Sequence, residues 1–141
     1  MARVALCVVV AAAACGGADG GPKFQGEHPR IYLGANKDRL VAGLSRPAGM
    51  RFAKMVDSWV AGQDVYDFPR WNAALMGQLT GDPKYCAAAV ASIDADVKAA
   101  EAAIASGDTP DVAGDDYLYV GPRIGDLAIV YDWCPDAVPG D

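Results

Sequence analysis

Leu75-Met76-Gly77-Gln78-Leu79-Thr80-Gly81-Asp82-Pro83-Lys84-Tyr85 is the stretch on which the fold class turns. Gly81 follows an apolar helical pattern and stops it, because a residue without Cβ readily takes the left-handed conformation that closes a helix. Asp82 offers a carboxylate to the free amides of a second helix, and Pro83 pre-sets the first turn of that helix. Two helices joined by a tight turn are therefore expected. Upstream, Pro69 opens the first of them, Pro69–Thr80, with Trp71, Ala74, Leu75 and Leu79 in register. Downstream, the second runs to about Ser106, and Cys86, Ala89, Val90, Ile93, Val97, Ala100 and Ile104 trace one stripe along it.

The same reading extends to both sides. Asn36 is placed to cap a short helix, Lys37–Leu44, whose Leu40, Val41 and Leu44 share a face. Pro47 suits the first turn of a helix reaching about Ala61, with Met50, Ala53, Val56 and Val60 at helical spacing, Met55 and Trp59 beside them, and Gly62 as its stop. Beyond the acidic loop Gly107–Asp116, a last helix covers about Gly121–Trp133, with Ile124, Leu127, Ala128 and Tyr131 along one side. No alternating run is long enough to build a sheet. The expected class is all-α, made of antiparallel helix pairs joined by short loops.

Composition limits what such a domain does. With 141 residues, 52% of them hydrophobic and 21% charged, the chain is globular and sized for one domain. A net charge of −6 argues against nucleic acid, which needs clustered Lys and Arg. The charge is unevenly spread: residues 23–54 hold seven basic and two acidic side chains, and residues 55–141 hold four basic and fifteen acidic ones. Two solvated faces account for this division; so does a basic N-terminal third that lines an anionic ligand site.

The N-terminus reads as a targeting segment. Arg3 supplies a positive charge, and Val4–Ala14 is an apolar run too short to span a bilayer but suited to the core of a secretory signal. Ala12-Ala13-Ala14 before Cys15 resembles a bacterial lipobox, with Ala12 where that pattern prefers Leu. On this reading residues 1–14 are a signal peptide, Cys15 carries lipid, and residues 15–27, rich in Gly, tether a helical domain, residues 28–141, to a membrane. Cleavage before Cys15 without lipid, and a buried N-terminal helix, are the alternatives. The expected location is outside the inner membrane, as a periplasmic or cell-surface lipoprotein.

Cys7 leaves with the signal, so Cys86 and Cys134 remain as a pair in an oxidising compartment. One lies in the first turn of the helix after Asp82 and the other just past Trp133. If these helices pack antiparallel, both thiols stand at the same end and are candidates for a disulfide; two buried free thiols are the other reading. No Cys or His spacing fits a metal site, and His28 is the only histidine. Asp108, Asp111, Asp115 and Asp116 lack the spacing of a calcium loop. No cofactor motif is present: there is no Gly-x-Gly-x-x-Gly and no phosphate loop. Trp71-Asn72 is a candidate sugar platform, an aromatic face beside an amide, with a core role for Trp71 as the alternative.

Three segments carry a family resemblance. His28-Pro29-Arg30-Ile31-Tyr32-Leu33 followed by Lys37-Asp38-Arg39-Leu40, then Leu75 through Tyr85, then Leu127-Ala128-Ile129-Val130-Tyr131-Asp132-Trp133, together resemble the start of heparinase II/III-type (alginate lyase-like) proteins. The resemblance implies part of an (α/α) toroid and a secreted enzyme that cleaves uronate-containing glycans by β-elimination. It implies an acidic polysaccharide as partner and a lipid anchor as the link to the membrane. Base and acid in that family are Tyr and His beyond the region matched here, so no catalytic residue is assigned, and the chain is expected to be the front part of a longer protein. A full toroid needs more than the five helices counted, so one edge of apolar faces is expected to lie uncovered. A non-catalytic helical lipoprotein that binds glycan or a protein is the alternative. A toroidal glycoside hydrolase would need paired carboxylates across a groove; no such pair stands out.

Overall fold

A computed structural model describes residues 28–111 and 118–139. The signal segment, Cys15, the tether, Asp115 and Asp116 lie outside the described residues. Those described form five α-helices: α1 Lys37–Gly43, α2 Pro47–Val60, α3 Trp71–Thr80, α4 Pro83–Ser106 and α5 Val120–Trp133. Short 3-10 turns at Gly34–Asn36 and Pro135–Ala137 flank them, and no strand is present among the described residues. None of these helices is long and apolar enough to cross a membrane.

α3 is the hub, in contact with each of the other four helices. Its apolar residues are spread around the helix rather than gathered on one face, as suits a helix that touches all the others. Ala73, Ala74, Met76, Gly77 and Leu79 are all buried. Gly77 sets its distance from α4: a Cβ there would stand 2.8 Å from Cys86 Sγ and 3.4 Å from the Cys86 amide. The turn into α4 forms as expected. Gly81 sits at φ 71° and its N–H reaches Gly77 O, while Asp82 Oδ1 accepts from the Lys84 amide at 3.0 Å.

α4 runs antiparallel to α5. At one end Cys86 and Cys134 are joined, with S–S 2.12 Å and Cα atoms 5.4 Å apart. Toward the other end, Val97 and Ile104 of α4 share an apolar furrow with Ile124 and Leu127 of α5. The α1–α2 hairpin closes through a second glycine contact, since a Cβ on Gly49 would lie 2.2 Å from Gly43 O.

Several local expectations need correction. Asn36 does not cap α1 with its side chain; it ends the preceding 3-10 turn, and its Oδ1 accepts from Arg39 instead. Met50 and Met55 face outward from α2. α3 begins at Trp71 rather than Pro69, because its first amides are capped from α5. The largest correction concerns α5. Ile124 is 63% exposed and Tyr131 56% exposed, and Leu127 is also exposed, whereas Asp126, Val130, Asp132 and Trp133 are buried. The apolar stripe faces out, and two carboxylates face in because backbone amides on other segments await them.

Candidate functional site

The two buried carboxylates of α5 hold together the elements that line the candidate site. Asp126 Oδ1 accepts from the Trp71 amide at 2.8 Å, and Oδ2 accepts from the Arg70 amide at 3.2 Å and from Arg70 Nε at 2.7 Å. Arg70 Nη1 also donates to Asp96 on α4. Burial alone would lower the Arg70 pKa; the Asp126 and Asp96 carboxylates outweigh it and hold the guanidinium above its ordinary value.

Asp132 does the same work for the lead-in segment. Its Oδ2 accepts from the Arg30 and Ile31 amides at 2.7 and 2.8 Å, and its Oδ1 from His28 Nδ1 at 2.8 Å and Arg30 Nε at 3.3 Å. Burial would raise its pKa, but the Ile31 and Arg30 amides, then the His28 and Arg30 side chains, hold it below the ordinary carboxylate value. Beside it, Trp133 Nε1 donates to Ile31 O at 2.9 Å, and Gln78 Nε2 donates to Trp133 O. His28, Gln78 and Trp133 thus bring the lead-in, the end of α3 and the end of α5 to one corner. Those are the three segments that carry the family resemblance.

These braces fix Trp71, which is a wall of two cavities. Its ring meets Trp133 edge to face, 6.4 Å between centroids at 90°. On one side, among α1, α2 and α3, lies a cavity of about 650 Å³ lined by Trp71, Asn72, Phe52 and Leu75, with Arg39 and Arg46 among its lining residues. No carboxylate among the described residues lines it. Neither arginine has an ion-pair partner among the described residues. Asn72 is only 7% exposed, and its side chain makes no hydrogen bond among the described residues. Among the described residues no fully buried side-chain N or O atom lacks a partner, so the Asn72 amide keeps some accessible surface beside the cavity it lines.

On the other side, among α2, α4 and α5, lies a cavity of about 560 Å³. Trp59 and Phe68, stacked at 4.7 Å and 20°, form part of its lining with Tyr119. Arg70 and Asp126 form part of it as a pair, and Arg123 at its rim pairs with Asp111 at 3.2 Å.

The structure therefore places the sequence candidates Trp71 and Asn72 in one cavity wall. Arg39 and Arg46 join them there, in keeping with the basic character of residues 23–54. Sequence reasoning missed Asp126 and the aromatic cavity, whose residues come from widely separated positions. His28 is engaged at both ring nitrogens, by Asp132 and by Arg30 Nη2 at 3.0 Å. Among the described residues no cluster of three His, Cys, Asp or Glu could hold a metal. Scans of the chain against family models, curated proteins and solved structures find no match in any of the three.

Proposed function

We propose that this chain is the glycan-binding helical part of a secreted, heparinase II/III-type protein, and that the cavity beside Asn72 takes a uronate-bearing sugar. The observation that carries the reading is the Asn72 amide, nearly buried and unpartnered among the described residues, lining one cavity with Trp71 and with two arginines that have no counter-ion among those residues. An aromatic face suits the apolar face of a pyranose. An amide suits its hydroxyls, and guanidinium groups suit a carboxylate in bidentate geometry. The convergence of His28–Ile31, Gln78 and Asp132–Trp133 supports the family resemblance, because the matched segments are structurally interdependent.

The outward apolar stripe of α5 supports a partial (α/α) toroid, in which a further helix pair would cover Ile124 and Leu127. Catalysis by β-elimination needs a base, an acid and a group that neutralises the carboxylate. Arg39, Arg46 and Asn72 have the chemistry of the last. His28 has both nitrogens engaged, which favours the non-catalytic alternative for the chain taken alone. Lipid on Cys15 would hold the domain at a membrane surface.

Calorimetric titration of the purified chain with unsulfated uronate oligosaccharides tests this. Binding is expected, with a loss of at least tenfold in Arg39→Ala/Arg46→Ala; absence of binding, or binding untouched by the substitutions, refutes the reading. No unsaturated-uronate absorbance is expected from the chain with alginate, heparin-type or chondroitin-type glycans. Cys15→Ser should move the expressed protein out of the membrane fraction, and persistence of lipid labelling in that variant would refute the anchor.

A further inference from the structure

We infer that the outer face of the α1–α2 hairpin rests on an anionic lipid surface, with Arg51 and Lys54 against the headgroups and Met50 and Met55 at the boundary with the acyl chains. The choice of a membrane over another anionic partner rests on the lipid anchor proposed at Cys15; the glycan-binding reading is not needed for it.

Lys37–Lys54 holds five basic side chains and one acidic one, Asp38. Arg39, Arg46, Arg51 and Lys54 are exposed, and none has an ion-pair partner among the described residues. Outside the hairpin the pattern is the opposite: Arg30, Arg70, Lys84, Lys98 and Arg123 each pair with a carboxylate. Asp57, the carboxylate near the end of α2, is engaged by α4, where Tyr85 Oη donates to it at 2.7 Å and Lys84 Nζ stands 3.8 Å away. At the helical repeat, Met50, Arg51, Lys54 and Met55 occupy an arc of about 140° centred opposite the fully buried Val56. The two cations lie in the middle of that arc and the two methionines, 56% and 37% exposed, lie at its edges. Cationic side chains reach lipid phosphates while their stems lie against apolar surface, and the unbranched thioether adapts to an irregular apolar boundary.

Residues 55–141 hold four basic and fifteen acidic side chains, so a negatively charged surface draws this face in and turns the remainder away. The thirteen residues 15–27 reach no further than about 45 Å even when fully extended. A lipid at Cys15 therefore sets how far the domain strays from the membrane, and the basic face sets which way it points.

The test takes the chain after removal of residues 1–14, carrying Cys15→Ser so that no lipid is attached, and measures co-sedimentation with vesicles. Vesicles containing phosphatidylglycerol are expected to bind at least tenfold tighter at low salt than vesicles of phosphatidylcholine alone, and the difference should shrink as salt rises. Arg51→Glu/Lys54→Glu lies outside the lining of both cavities and, with helix content checked by circular dichroism, should weaken the binding at least tenfold. Met50→Ser/Met55→Ser should weaken it at least threefold. Equal binding to the two kinds of vesicle, binding to neither, or unchanged affinity in either variant overturns the inference. Self-association without vesicles that the same charge reversal abolishes assigns the face to the acidic side of a second copy, and overturns it too. Absence of lipid on Cys15 in cells overturns the anchor alone, since the vesicle measurements are made without it.

Discussion

The corner where α3 ends, α4 begins and α5 ends differs sharply from the α1–α2 hairpin. At the corner, Cys86 is bonded to Cys134, Gln78 reaches Trp133 O, Trp133 reaches Ile31 O, and Asp132 gathers two amides and two side chains. At the hairpin the close contact is glycine on backbone, the polar contacts are mostly local, and Arg39 and Arg46 stand beside a cavity with no counter-ion among the described residues. Unpaired charge beside an open cavity contributes little to stability. The difference teaches that bonds between segments far apart in sequence hold one region, while the other keeps an open cavity with few such bonds.

That division can be broken by substitution. The largest effect is expected from removing the disulfide. Cys86→Ser/Cys134→Ser opens a loop of 48 residues, worth about 4 kcal/mol in the chain-entropy treatment. Urea denaturation with and without reductant measures it, and an unchanged midpoint would show that the corner is not the stabilising region. Asp132→Asn comes next, at about 2–3 kcal/mol, since hydrogen bonds to a charged group are lost or weakened.

The pH dependence of Asp132 follows from its lowered pKa. A group whose folded-state value lies below its unfolded value stabilises the fold fully above the unfolded value, about 3.9 for Asp. That contribution falls away as pH drops through the folded value. Denaturation of wild type and Asp132→Asn from pH 7 to pH 2 should therefore show a gap that narrows only below about pH 4; a constant gap would refute the assignment. Gly77→Ala, which drives a methyl group against Cys86, should lose about 1–3 kcal/mol by overpacking. The smallest effect on stability belongs to the hairpin: Arg39→Ala/Arg46→Ala should change it by no more than about 0.5 kcal/mol. A large loss of stability there would erase the distinction between the two regions.

The parts of the fold legible in the sequence are those decided locally. Gly81, Asp82 and Pro83 each act on the backbone within a few residues, so the α3–α4 turn and its cap were readable. So were Pro47 at the start of α2 and the stripe along the first half of α4. α5 resisted because it carries two stripes at helical spacing. Ile124, Leu127 and Tyr131 form the apolar one; Asp126, Val130 and Trp133 form the other. Hydropathy selects the first, and the structure buries the second, because Asp126 and Asp132 satisfy amides far away in the sequence. Nothing in the local pattern reports that such amides need a partner. For the candidate site, Trp71-Asn72 was visible as an adjacent pair and the basic bias of residues 23–54 as a count. The second cavity was not, since Trp59, Asp67, Ser92 and Tyr119 meet only through the packing of three helices.

The reach of α5 also sets an order of events. Asp126 bonds backbone 55 and 56 residues earlier, and Asp132 bonds backbone 101 and 102 residues earlier. A chain that emerges N-terminus first presents the lead-in and the opening turn of α3 long before the carboxylates that clamp them exist. Contacts of such separation close late, because the loop entropy of bringing the ends together must be met first. A chain halted before α5 should therefore keep residues 28–33 and the Arg70–Trp71 amides open to protease and to hydrogen exchange, with protection arriving together once Asp126 and Asp132 are added.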